Sequence, residues 1–212
     1  MSNLPNNSAP ASKPDETGKV SVQGHIKIFD PETNEVFIDK RNAIHYENFS
    51  MALAQSISNQ TNGPIAEMVF GNGGTRVDST GIITYLTPNT IGSNASLYSQ
   101  TYSKTVDAKR ASSLDPARNF METRHIAGVA YTDVLVSCLL DFGEPSNQLA
   151  FDNATATDSA FVFDELGLKS YNEIAGLGLL LTHVIFHPVQ KSLNRLIQID
   201  YTIRIQSIST GI

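Results

Sequence analysis

The sequence predicts a mainly β fold, a β-sandwich or barrel-like domain with one amphipathic helix, a flexible N-terminal arm and long polar loops. Three observations predict it. Val20, Val22, Gly24, Ile26 and Ile28 occupy alternate positions near the start of the chain, and Ile197, Ile199, Tyr201, Ile203 and Ile205 do the same near its end. One segment, about Tyr46 to Ser58, carries apolar residues at helical spacing. Between the strand-like stretches lie runs of Ser, Thr, Asn and Gly too polar to build a core.

Residues 1–18 hold Pro5, Pro10 and Pro14 with many Ser and Asn, and Leu4 as their large apolar residue. Such a segment buries too little surface to offset its ordering entropy, so it is read as an arm outside the core. Two readings of it stay open: a free tail, or an arm that orders on a neighbouring subunit. A single mostly-β domain is expected over 19–212. Strand alternation begins at Lys19, and Asp30-Pro31-Glu32-Thr33-Asn34 supplies turn chemistry before Glu35–Asp39 returns as a hairpin.

The helix comes next. Tyr46, Phe49, Leu53 and Ile57 form an apolar stripe expected to pack on the sheet, with Asn42 or His45 near the start and Gly63-Pro64 in the stop. Ile65–Phe70 reads as a strand running into Gly71-Asn72-Gly73-Gly74, and Gly81–Leu86 as a short one. A polar insert follows at about 87–120, with Tyr98, Tyr102 and Val106 as isolated anchors. Strands resume over Glu122–Phe142, where the alternation slips near Asp133 as a bulge would make it slip. A second polar insert, at about 143–159, precedes strands at Ala160–Phe163, Glu165–Leu168, Gly178–Val189 and Ile197–Gln206. The expected total is eight or nine strands.

Composition narrows the function classes. The chain has 212 residues with 15 Lys+Arg against 21 Asp+Glu, a net charge of −6 that gives no footprint for nucleic acid. Only 17% of residues are charged, against about 25% in an average soluble protein. The deficit is filled by neutral polar groups, which cost less to desolvate at subunit contacts. No apolar run approaches the ~20 residues a membrane helix needs, and the N-terminus lacks the apolar stretch of a signal peptide. Cys138 stands alone, so no intrachain disulfide is expected.

The chemical motifs point away from catalysis. His183 and His187 are four apart, but a strand would separate them by about 13 Å, so they read as ordinary strand histidines. Gly71–Gly74 lacks the lysine and following helix of a phosphate loop and reads as a turn between strands. The carboxylates Asp133, Asp141, Glu144, Asp152, Asp158, Asp164 and Glu165 show no calcium-loop order. Cys138 sits in an apolar strand, and no Gly-x-Ser-x-Gly elbow occurs. The basic stretches Lys40-Arg41 and Lys104 to Arg110 are too dilute for a nucleic-acid groove. No catalytic residue, cofactor or metal ligand is expected.

The stretch GHIKIFDPETNEVFIDKRNAIHYENFSMALAQSI, then EMVFGNGGTRVDSTGIITYLTPN, and the closing HPVQKSLNRLIQIDYTIRIQS resemble structural proteins of tailed-bacteriophage virions. The likeness covers about half the chain and is silent over 87–120. It implies a neck, collar or other accessory virion component, assembled in the host cytoplasm, with copies of itself and other virion proteins as partners. It implies no enzymatic activity and carries over no site residues. A charge-poor β domain with an arm and neutral loops fits a ring subunit independently. Capsid decoration and tail or baseplate placements are the alternatives. A rival of another class is a carbohydrate-binding module using Tyr85, Tyr98 and Tyr102; against it stands the absence of Trp.

Overall fold

A computed structural model describes residues 18–107, 117–145 and 161–209. The expected arm apart from Gly18, the part of the first insert at 108–116 and that of the second at 146–159 lie outside the described residues. Within the described residues the chain forms β1 (Gly18–Phe29), β2 (Val36–Ile44), α1 (Tyr46–Ile57), β3 (Ile65–Gly71), β4 (Thr75–Val77), β5 (Ile83–Tyr85), β6 (Gln100–Thr105), β7 (Phe120–His125), β8 (Tyr131–Leu140), β9 (Phe161–Ser170), β10 (Leu180–Lys191) and β11 (Ile197–Ser209). The mainly β architecture is as the alternation requires.

Nine strands form one curled antiparallel sheet in the order β6-β3-β9-β10-β2-β1-β11-β8-β7, and β4 and β5 pair separately as a hairpin. β2 makes the corner. Its first part pairs with β1, from Val36↔Phe29 to Asn42↔Gly24, while Ala43 and Ile44 pair with His183 and Thr182 of β10. The two halves of the sheet thus fold over one another as a sandwich. The two strands with the cleanest alternation are partners: β1 and β11 pair along their full length, from Gly18↔Ser209 to Phe29↔Gln198.

The core lies between the halves. Ile26, Ile28, Val136, Cys138, Leu140, Ile197, Ile199 and Tyr201 from one half join Met68, Phe70, Phe163, Leu166, Leu168, Val184 and Phe186 from the other in a single cluster. Phe163 stands edge-on to both Phe70 and Phe186, with ring centres 5.4 and 5.7 Å apart, the arrangement aromatic quadrupoles favour.

The β1–β2 turn is fixed by Asp30, whose carboxylate accepts from the backbone N–H groups of Glu32 and Thr33, and by Asn34 at φ 61°. His45 caps α1: its Nδ1 accepts from Asn48 N–H, and its Nε2 donates to the Gly92 carbonyl.

Several sequence expectations need correction. Helix α1 buries Asn48 and Ala52 and packs Phe49 on the core, but leaves Tyr46 69%, Leu53 37% and Ile57 78% exposed. The cause is Asn48, whose side-chain amide donates to the Leu180 carbonyl and so turns a polar face inward. No bulge occurs at Asp133: pairing with both β7 and β11 runs through it without a shift. Alternation fades there because Leu135 through Leu140 are buried on both faces. The stretch 87–120 is not all loop, since β6 lies in it and pairs with β3, with Tyr102 packed on Phe70. Thr75–Val77 adds a short strand, β4, that the sequence pattern does not announce, and β9 is one continuous strand rather than two pieces.

Candidate functional site

Two features stand out: a buried carboxylate cluster and an open apolar groove. The first begins in β9. Its core-facing residues run Phe161, Phe163, then Leu166 and Leu168, so the alternation slips at Asp164-Glu165. The partner strand slips too, since Ile185 pairs with Glu165 while Val189 pairs with Phe163. Two adjacent carboxylates therefore both reach the loop that leaves β3.

Glu165 and His183 are wholly buried, with Nε2 and Oε2 3.0 Å apart. The His183 Nδ1 accepts from Asn89 N–H at 2.7 Å, so the proton sits on Nε2 and the ring is a neutral donor to the carboxylate. Glu165 also accepts from the backbone N–H groups of Gly73, Tyr98 and Ser99. Burial raises its pKa, but the hydrogen bonds from His183, Ser99 and Tyr98 outweigh that and hold it below the ordinary value. Asp164 accepts from the N–H groups of Gly74 and Thr75 and from the Thr75 hydroxyl, yet burial dominates and its pKa is raised.

The glycine-rich segment is thus a cradle for the protein's own carboxylates. A Cβ on Gly71 would stand 2.5 Å from both Glu165 Oε1 and the Ser99 carbonyl. Both nitrogens of His183 and both oxygens of Glu165 are engaged, which leaves the pair no open valence for a substrate. The arrangement is a lock that fastens residues 71–75 and 89–99 to the sheet. Gly71–Gly74 does turn the chain between strands, and His183 does lie in a strand. Their convergence on Asp164 and Glu165 has one trace in the sequence, an adjacent acid pair inside an otherwise apolar strand, which demands donors.

A second lock lies beside it. Lys169, 3% exposed, donates to Ser96, Gln100 and the Gly176 carbonyl, while Glu67 accepts from Gly176 N–H. Burial lowers the Lys169 pKa and the charge of Glu67 partly restores it.

The other singled-out residues are dispersed. His187 meets Tyr85 at 3.3 Å in an exposed position, away from the buried His183. Tyr98 donates to the Thr87 carbonyl and Tyr102 is packed on Phe70, so these tyrosines are tied separately. Asp133 is held by Arg204 at 2.8 Å through both oxygens, and Glu144 by Lys104. Lys40 donates to the Ile185 carbonyl. Cys138 is buried, and burial pushes its thiol up to about 12. Asp152 and Asp158 lie outside the described residues. Among the described residues no group of three His, Cys, Asp or Glu is placed to hold a metal ion, and no helix is long and apolar enough to cross a membrane.

The groove, of about 430 Å³, opens where the sandwich halves part. One wall is α1, through Phe49, Ala52 and Leu53; the other is the inner face of β7, β8 and β11, through Met121, Val134 and Ile205. Glu122 is the charged residue on its lining, and its carboxylate is tied to Arg124. The exposed stripe of Tyr46, Leu53 and Ile57 lies along the adjoining helix surface.

The chain matches no protein-family model, no curated protein and no solved structure. The reading of its function therefore rests on the residues themselves.

Proposed function

We propose that the chain is a non-enzymatic structural subunit of a tailed-phage virion, a neck or collar protein at the head–tail junction that assembles with copies of itself. The observation that carries the assembly part is the apolar stripe of α1 beside an open apolar groove. An apolar patch that joins helix and sheet is what a subunit contact requires. Fully covering one Leu or Ile side chain contributes about 1.5–3 kcal/mol, so three or four such residues supply an interface core. The low charge of the chain serves the same end. Placement in a virion is supported by the sequence resemblance alone.

The test is quantitative mass spectrometry of purified particles. A closed ring at the neck predicts a small fixed number of copies per particle, on the order of a dozen. A count on the order of hundreds moves the protein to capsid decoration. Absence from the particle contradicts the virion role.

A further inference from the structure

The geometry points to one occupant for the groove between α1 and the β7–β8–β11 face: the N-terminal segment of a second copy, centred on Leu4. This rests on the assembly reading above and names the contact through which it works.

β1 pairs with β11 out to Gly18↔Ser209, beyond the last β1–β2 pair at Gly24↔Asn42 and the last β8–β11 pair at Tyr131↔Gln206. The chain therefore enters the domain at the tip of a projecting two-stranded ribbon. Ile205, on the groove wall, pairs with Val22, several residues back from that tip. The ribbon tip stands beyond the groove wall, so a neighbouring copy beside the ribbon lies next to the point where the N-terminal segment joins the domain.

Seventeen residues precede β1. At ~3.3–3.6 Å per residue they span at most about 60 Å, enough to cross a neighbouring domain.

Residues 1–12 contain no charged side chain, and Lys13 is the first. A groove lined by apolar residues, whose Glu122 is already paired, accepts an uncharged segment without stranding a charge. Pro5 and Pro10 lie within this stretch and lose little freedom when bound, and proline-bearing segments settle against aromatic walls such as Phe49.

The experiment is disulfide trapping with the full chain. Leu4→Cys chains are mixed with differently tagged Leu53→Cys chains and oxidised; Cys138, buried, does not compete. Thr123→Cys, on the opposite wall, is the second trap in case the first variant fails to fold. The proposal predicts a mixed disulfide-linked dimer, about tenfold more abundant than with Leu177→Cys, an exposed residue outside the groove, because binding raises the local thiol concentration. An internal link in the Leu4→Cys/Leu53→Cys double variant without the mixed dimer overturns it, since the arm then covers its own groove. A stable oligomer with neither link also overturns it, while leaving the assembly reading in place. A strictly monomeric chain overturns both.

Discussion

Glu165 and His183 are diagonal neighbours on adjacent antiparallel strands, both fully buried, and their contact joins two loops that the chain makes more than 60 residues earlier: Gly73 is 92 residues from Glu165, and Ser99 is 66. The N–H groups of Gly73, Gly74, Thr75, Tyr98 and Ser99 all converge on the two carboxylates, and Asn89 N–H fixes the His183 ring. Removing Glu165 leaves the Nε2–H of neutral His183 and the N–H groups of Gly73, Tyr98 and Ser99 without their acceptor, at about 1–3 kcal/mol for each donor that stays buried and unsatisfied. Glu165→Ala is therefore expected to lose stability of that size in chemical denaturation, and a loss below about 1 kcal/mol, the net worth of one ordinary hydrogen bond, contradicts the lock.

The two carboxylates respond to acid with opposite signs. Glu165 has a folded pKa below its ordinary value of 4.5, so its contribution is fully present above about 4.5 and is lost as pH falls through the lower folded value. Asp164 has a folded pKa above 3.8, so the native chain takes up a proton first and gains stability as pH falls through that raised value. Asp164→Asn removes this compensation. Its stability is expected to fall more steeply below neutral pH than that of the native chain, as followed by urea melts; an equal slope contradicts the assignment.

Gly71 tolerates no side chain, because a Cβ there meets the Ser99 backbone as well as Glu165. Overpacking of this kind costs about 1–3 kcal/mol. Gly71→Ala is expected to show that loss, while Gly18→Ala, with open space around its Cβ, stays within about 0.5 kcal/mol of the native chain in the same melts.

Much of this architecture is legible in the sequence, and the illegible part has definite causes. Val20–Ile28 and Ile197–Ile205 announce their strands by period two, yet nothing in either stretch says that they pair with each other. The helix is legible from Tyr46 to Ile57, but its buried face is not, because Asn48 turns inward to meet the Leu180 carbonyl and displaces the expected stripe. β6 is hidden because Gln100–Thr105 offers Tyr102 as its one large apolar residue. The carboxylate lock is invisible because its members are far apart in sequence and their strand breaks its alternation at Asp164-Glu165.

Lys191 is almost fully buried and donates to the Ser192 carbonyl. Burial lowers its pKa from 10.5 to about 8, against the opposing pull of Glu144 and Asp141 and with some help from Lys104. Between those two values the native chain has released a proton that the unfolded chain keeps, so stability rises with pH across that window. Above about pH 10 the raised pKa values of Tyr102 and Tyr201 act in the other direction. Lys191→Met is expected to flatten the rise between about pH 8 and 10 in urea melts. An unchanged rise contradicts the assignment.

Cys138, buried at the core with its thiol pushed up to about 12, is expected to stay inert toward a thiol reagent in the native chain and to react only on unfolding. Rapid labelling at neutral pH without denaturant, followed by absorbance, contradicts its placement.

On the proposal made above, the apolar mouth between α1 and the β7–β8–β11 face joins copies of this chain. The most direct test is the solution mass of the full-length protein by light scattering, compared with Leu53→Asp, whose new charge stands at the groove wall and on a half-exposed helix position. The account predicts a closed oligomer for the native chain, and for the variant a folded monomer with an unchanged circular dichroism spectrum. A native chain that is monomeric at every concentration, or a variant that assembles as well as the native chain, contradicts it.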